Sequence, residues 1–358
     1  MLAQAVAGVL AAAALAVPHP AARPRTTRFT LEVNGDLLIH SPIFDRARAL
    51  AGGRGYAFAP MLRKVRTRIS RADLAVCHVE TPMGPGPPHG YPVFNTPKDL
   101  VKAIRATGWD GCDTASNHTL DGGQAGIDGT LGALDSVGLR HAGSARSARG
   151  ARRLLIFHVK GIRVAYLAYT EMTNGERLPH PWSVNLASAP RILADARRAR
   201  RKGAQAVVVN LHWGTEYQSR PDAFQLRLAR RLTAAKAITA VVGQHVHVVQ
   251  PIRWMHHKPV VFGEGNLLSN QTAACCPAAS QDGMLVLLRF VAGRRGVRVA
   301  RVDYVPTWVR HPDFLVVPVD RGLREHLAAR STLVASYRRT VSVVGHSRWI
   351  GPFPRRVR

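Results

Sequence analysis

Acidic, amide and imidazole side chains, the types that hold divalent metal ions, stand in this sequence where apolar segments end. Asp36 follows one such segment in Asn34-Gly35-Asp36, and Glu80 follows the next in His78-Val79-Glu80-Thr81-Pro82. Asn117 and His118 come after a third, ahead of Asp121-Gly122-Gly123. Each feature alone has an ordinary explanation, because Asp and Asn are common in turns and at helix N-caps.

Histidines follow two later apolar segments, in His212-Trp213-Gly214-Thr215-Glu216 and in Gln244-His245-Val246-His247. Histidines at i and i+2 of an extended chain project from the same side. Five segment ends that all carry Asp, Glu, Asn or His are hard to explain as caps, so we predict one metal site. Its oxygen and imidazole donors, without a thiolate, suit Mn, Fe or Zn. The predicted ligands are Asp36, Glu80, Asn117, His212, His245 and His247.

These residues must be positioned by short β-rich segments that alternate with amphipathic ones. The predicted strands are 29–34, 74–79, 111–115, 164–170, 206–211 and 239–242. The predicted helices are 61–70, 99–107, 123–137, 192–202 and 223–236. Such alternation is typical of a mostly parallel sheet covered by helices, with the carboxyl ends of the strands at one edge.

The pattern changes after residue 259. The pattern predicts two strands, 284–291 and 297–304, that form a hairpin, and one closing helix over 321–341. No linker divides residues 29–345, so we predict one domain there, followed by a basic C-terminal tail at 346–358.

Residues 1–28 read as an export segment with a basic linker. The run 5–17 is apolar, and Ala14-Leu15-Ala16 offers a small-residue cleavage pattern before Pro18. The run is shorter than the ~20 residues that a membrane-spanning helix needs, so we expect cleavage and an extracellular or cell-surface location. No Lys or Arg precedes the run, which leaves open a start further upstream or an unstructured lead.

The chain has 358 residues, 46% of them hydrophobic, which is enough for a substantial core. The net charge of +28 fits a polyanionic partner, but only seven of the 50 basic residues are Lys, so biased codon usage is an equal explanation. Nucleic acid is disfavoured, because no basic stretch is interleaved with aromatic residues.

Cysteines number four, too few to define a disulfide framework. Cys77 and Cys112 fall in predicted strands and read as core residues, whereas adjacent Cys275 and Cys276 fall in a loop where they could pair.

The motif order resembles the calcineurin-like metallophosphoesterase superfamily and, within it, the CapA family of poly-γ-glutamate capsule proteins. Asn34-Gly35-Asp36 resembles the family's opening Gly-Asp, and Glu80-Thr81-Pro82 its Asn-x-Glu-Thr-Pro element, with His78 in place of Asn. The later motifs continue the series over about residues 29–270: Ser116-Asn117-His118 with Asp121-Gly122-Gly123, His212 to Tyr217, Gly243 to Gln250, and Gly263-Glu264-Gly265-Asn266.

The resemblance implies an α+β fold, a four-layer α/β/β/α sandwich, with the late hairpin in the second sheet. It implies one or two divalent ions: Glu80 would bridge them, Asn117, His212 and His245 would complete one site, and Asp36 and His247 would hold the other. His118 would donate a proton to the leaving group. Leu38 stands where phosphoesterases carry a second His, which implies a weaker Asp36 site. His40 could compensate only if the chain turned back after Leu37.

From these features we expect an exported CapA-like, metal-dependent hydrolase of cell-envelope or poly-γ-glutamate metabolism. An anionic polymer or a phosphoester would be the substrate, and membrane-associated polymer synthesis machinery a partner. The alternative is a non-catalytic accessory that binds metal and polymer without turnover. The sequence leaves open phosphoester against amide chemistry, the metal and the oligomeric state.

Overall fold

A computed structural model describes residues 26–357 of the chain. The strands of the first half are β1 (Thr27–Leu37), β2 (Leu74–Val79), β3 (Gly111–Asp113), β4 (Arg140–Ala142), β5 (Leu155–Val159) and β6 (Ile162–Thr170). The later strands are β7 (Ala206–Trp213), β8 (Ala240–His245), β9 (Ile252–Met255), β10 (Lys258–Val261), β11 (Asn266–Leu268), β12 (Asp282–Gly293), β13 (Gly296–Arg310), β14 (Leu315–Pro318) and β15 (Ile350–Pro352).

The helices lie between the strands and at the end of the chain. They are α1 (Ser41–Leu50), α2 (Ala59–Leu62), α3 (Arg66–Ser70), α4 (Leu100–Thr107), α5 (Gly123–Ser136), α6 (Ala148–Ala151), α7 (Ala189–Arg201), α8 (Ala223–Ala234), α9 (Val319–Arg324) and α10 (Arg330–Val344). None of the helices within residues 26–357 has the length and apolar character needed to cross a membrane.

The strands form two sheets. The nine-stranded sheet runs β14-β13-β12-β1-β2-β3-β4, with β11 beside β1 and β15 beside β13. The six-stranded sheet runs β5-β6-β7-β8-β10-β9. Neighbouring strands pair in parallel from β1 through β2 and β3 to β4, and from β6 through β7 to β8. The carboxyl ends of the strands in each group therefore lie at one edge of their sheet.

Apolar side chains separate the layers. One cluster fills the space between the sheets, with Leu31 and Val286 of the larger sheet and Val208 of the smaller. A second packs the outer face of the larger sheet against α1, α2, α4 and α5, and a third packs the smaller sheet against α7 and α8. Strands β2, β7 and β8 are buried over their whole length and mostly apolar, because both of their faces are covered. The predicted four-layer α/β/β/α sandwich is confirmed.

Some local predictions were wrong. The hairpin was expected in a second sheet, apart from the first strands of the chain. It lies instead in the larger sheet with β1, because β12 pairs antiparallel with β1. The closing helix is two helices, α9 and α10, and between them His326 has a φ of 52°, which an α-helix cannot accommodate. Within the expected tail 346–358, β15 pairs with β13.

The expectation that Cys77 and Cys112 are core residues is confirmed, but the sequence did not predict how the cysteines pair. Cys77 and Cys112, which are register partners on β2 and β3, form a disulfide with Cα atoms 4.4 Å apart, whereas Cys275 and Cys276 are free. The predicted export segment at 1–28 lies outside the described residues, apart from its last three positions.

Candidate metal centre

The predicted ligands come from both sheets. Asp36 lies near the end of β1, Glu80 directly follows β2, and Asn117 lies in the loop after β3. From the smaller sheet, His212 lies near the end of β7 and His245 ends β8, with His247 two residues beyond. All six side chains are buried. The strand ends therefore converge as predicted, but across two facing sheets rather than along one.

A close backbone approach positions Asp36. Its N–H donates to the Gly265 carbonyl at 3.1 Å, and a Cβ on Gly35 would lie 1.8 Å from that same oxygen. Only glycine fits at position 35, which explains the Gly-Asp pair at the end of β1.

Four potential ligand atoms meet around His212. Its Nε2 lies 2.7 Å from Asn117 Oδ1, 3.1 Å from His245 Nδ1 and 3.9 Å from Glu80 Oε1. The Asn117 amide is oriented by its own nitrogen, which donates to Asn174 Oδ1 at 3.1 Å. Its oxygen therefore points into the site, as a ligand oxygen must.

A second group contains Asp36, Glu80 and His247, whose ligand-type atoms all lie within 4.8 Å of one another. His247 Nδ1 lies 3.2 Å from Asp36 Oδ2 and 3.1 Å from Asn266 Oδ1. The Asn266 amide nitrogen donates to the Ser280 carbonyl, so its oxygen accepts from His247 Nδ1. The other nitrogen, Nε2, then faces Glu80 Oε1 at 3.7 Å.

Neither histidine of the pair has extended geometry. His245 has a φ of 93° and His247 a φ of 57°, so a left-handed turn, not strand alternation, brings the two rings together at 6.0 Å between centroids. The expectation that both project from one side of an extended chain was wrong. Non-glycine residues in this region cost free energy and concentrate at functional sites.

Burial and charge together set the protonation of the site. Burial raises the pKa of Glu80, and the nearby Asp36 carboxylate adds to this, giving about 7. Burial lowers the pKa of His245 to about 3, aided by His247, and holds the pKa of His212 well below its usual range. Burial also disfavours the charged form of His247, but Glu80 and Asp36 outweigh it and raise its pKa to about 9. His212 and His245 are therefore neutral, the form that binds metal.

A divalent cation fits these residues. Both carboxylate oxygens of Glu80 are buried without a hydrogen-bond partner. An unpaired buried carboxylate costs several kcal/mol or more, unless a cation compensates it. Glu80 lies between the two groups, so it could contact ions in both. Oxygen and imidazole donors suit Mn, Fe or Zn.

His118 is held beside the ligands by Asp121. His118 Nδ1 lies 2.8 Å from Asp121 Oδ2, which also accepts the Phe94 N–H at 2.6 Å. This contact orients the ring and leaves Nε2 for proton transfer. The Phe94 ring packs edge-on against the imidazole at 4.7 Å.

Sequence reasoning missed His78, Asp113 and Asn266 as parts of the site. His78 was noted only as a replacement for Asn, although it shares strand parity with Glu80. Asp113 read as an interior strand residue, and Asn266 as a turn residue. The alternation of β2 was a usable signal for His78, but no local signal pointed to Asp113.

His40 does not fill the place of the imidazole absent at Leu38. Its Nδ1 accepts the Asn270 N–H at 3.3 Å, and its ring packs edge-on against Phe94 at 5.4 Å. Leu38 itself is buried.

Comparison with known proteins gives matches in sequence and in fold. The family model described as bacterial capsule synthesis protein PGA_cap matches residues 30–271. The capsule biosynthesis protein CapA of Bacillus anthracis is 28% identical over 179 residues, which are 49% of this chain and 43% of that protein. The PGA biosynthesis protein CapA of Bacillus subtilis (strain 168) is 30% identical over 180 residues, which are 50% of this chain and 47% of that protein. The matched part thus spans less than half the length of these two relatives.

The crystal structure of the calcineurin-like phosphoesterase YfkN from Bacillus subtilis aligns with a TM-score of 0.52 at 13% identity. The alignment covers 87% of this chain and 100% of that one. At this identity the likeness shows the shared fold alone.

Proposed function

Because the chain belongs to the bacterial capsule synthesis protein family PGA_cap, we propose that it is an exported, metal-dependent hydrolase acting on an anionic polymer or phosphoester of the cell envelope. Poly-γ-glutamate is the first substrate to test, since relatives of the chain are named for capsule and PGA biosynthesis. Membrane-associated polymer synthesis machinery is the proposed partner.

One observation carries the hydrolase proposal: a buried set of oxygen and imidazole ligands lies beside a histidine that could deliver a proton. Asn117, His212, His245 and Glu80 would hold one ion, and Asp36, Glu80 and His247 another. Bound divalent ions would supply Lewis-acid stabilisation of the charge that develops on oxygen during hydrolysis.

The chain's own residues supply orientation and a proton. Asn174 turns the Asn117 oxygen inward, and Asn266 fixes which nitrogen of His247 faces Glu80. His118, oriented by Asp121, could donate its Nε2 proton to the leaving oxygen or nitrogen. A proton donor of this kind could protonate the leaving group of a phosphoester or of an amide. The turnover assay with both substrates therefore decides the substrate class.

Export is supported by the buried Cys77–Cys112 disulfide as well as by the apolar N-terminal run. Disulfides form and persist in oxidising compartments and are rare in the cytosol.

The alternative is a non-catalytic accessory of polymer synthesis or export that binds metal and polymer. The names of the two Bacillus relatives favour it, because both refer to biosynthesis rather than to hydrolysis.

His118→Ala and His245→Ala together test the proposal. Metal content and turnover of a generic phosphoester and of poly-γ-glutamate would be measured on purified protein. His118→Ala should keep its metal and lose ~10²-fold or more in turnover, which is the usual contribution of a positioned acid. His245→Ala should lose metal.

Metal binding without turnover of either substrate would favour the accessory. Unchanged metal content in His245→Ala would contradict the ligand set.

A further inference from the structure

We propose that His78 is an additional metal ligand and that Asp113 is its positioning residue. His78 would give the ion beside Asp36 the imidazole ligand that Leu38 cannot supply. This inference rests on the proposed metal-dependent function and adds to it a ligand that the predicted set did not contain.

Strand register places the three side chains in one row. In the parallel pairing of β1, β2 and β3, Asp36 lies opposite His78, and His78 lies opposite Asp113. The preceding pair, Cys77 and Cys112, packs with the cluster under the helices, on the other face of the sheet. Asp36, His78 and Asp113 therefore point towards the second sheet, from which His212 approaches.

The two ring nitrogens of His78 have different surroundings. Nδ1 lies 2.6 Å from Asp113 Oδ1, whereas Nε2 is buried without a hydrogen-bond partner. Ligand-type atoms of Asp36, His78 and His212 all lie within 4.8 Å of one another. A carboxylate that accepts the proton of one imidazole nitrogen, while the other nitrogen faces the metal, is the usual support of a metal-bound histidine.

A charged His78 that bridges two carboxylates is the competing explanation. Such an imidazolium would donate from Nε2 to Asp36, but Nε2 lies 3.6 Å from Asp36 Oδ1, beyond hydrogen-bond distance. The gap leaves a nitrogen and a carboxylate oxygen facing each other without a proton bridge, as two ligands of one ion would.

The family motif that the chain resembles has Asn at the position of His78. The chain lacks an imidazole at position 38 and has one on the neighbouring strand. His78→Asn therefore restores the motif residue and removes the proposed imidazole ligand.

The test titrates metal-depleted full-length protein with Mn²⁺ by calorimetry, and counts imidazole scatterers in the Zn²⁺-loaded protein by X-ray absorption. His78→Asn should bind one of the ions at least ~10-fold more weakly and lose one imidazole from the count. Asp113→Asn should weaken binding in the same direction. His141→Asn is the matched control, because His141 also contacts an aspartate, Asp135 at 3.1 Å, but lies away from the site.

The outcomes separate this inference from the proposed function. If His78→Asn keeps wild-type affinity and imidazole count while His245→Ala loses metal, the His78 assignment is wrong and the proposed site stands. If His245→Ala also keeps its metal, the site itself is wrong. Circular dichroism checks folding, and His78→Gln takes the place of the Asn variant should that variant fail to fold, with the same outcomes deciding.

Discussion

The Cys77–Cys112 disulfide is expected to contribute about 4 kcal/mol to the free energy of unfolding. It joins residues 35 positions apart, and both side chains are fully buried. Closing a loop of this length removes conformational entropy from the unfolded chain, which the loop-entropy relation converts to ~4 kcal/mol at 25 °C. The backbone ladder between β2 and β3 does not depend on the bridge, so the reduced protein should keep its fold at lower stability.

The assay is urea unfolding of the same protein in its oxidised and reduced forms, which leaves every other side chain unchanged. Cys275→Ser/Cys276→Ser is the useful background, because it removes the free cysteines and leaves only the buried pair to react. Cys77→Ala/Cys112→Ala serves as the control and should unfold at the same urea concentration with or without reductant.

Two results would refute this reasoning. Two titratable thiols in the denatured, unreduced Cys275→Ser/Cys276→Ser protein would show that the disulfide does not form. Equal unfolding midpoints for the oxidised and reduced forms would show that the bridge does not restrict the unfolded chain as the loop length requires.

Two further predictions concern pH and salt. Burial raises the pKa of Glu32 from 4.5 to about 8, so the folded state keeps a proton that the unfolded chain releases. The contribution of protonated Glu32 to the free energy of unfolding is therefore complete below about pH 4.5 and is lost as pH rises to about 8. Glu32→Gln should therefore gain a few kcal/mol over wild type between pH 5 and pH 8 in urea unfolding, and parallel pH profiles would contradict the assignment. If the net charge of +28 contributes to binding, the affinity for poly-γ-glutamate should fall as the salt concentration rises. The reason is that exposed charges are screened over ~8 Å at physiological ionic strength. A flat salt response would favour the codon-usage explanation.

The sequence by itself determined the type and order of most elements around the site. Apolar periodicity located β1, β2, β3, β6, β7 and β8, and polar residues at their ends marked the positions that converge. These features are local: a buried strand must be apolar over its length, and its carboxyl end must bring ligands to an edge. The family resemblance followed from the same strand ends, because it depends on the types of these residues and on their order along the chain.

Only the tertiary structure decided which sheet each strand joins, which cysteines meet and which side chains surround Asp36. The partners Cys77 and Cys112 are 35 residues apart, and Asp36, His78 and Asp113 form a row only through the register of three strands. Register depends on packing between segments that are distant in sequence, so no local pattern encodes it. The left-handed turn at His245 and His247 was hidden for the same reason, since contacts across the two sheets hold these residues in a conformation that their own propensities disfavour.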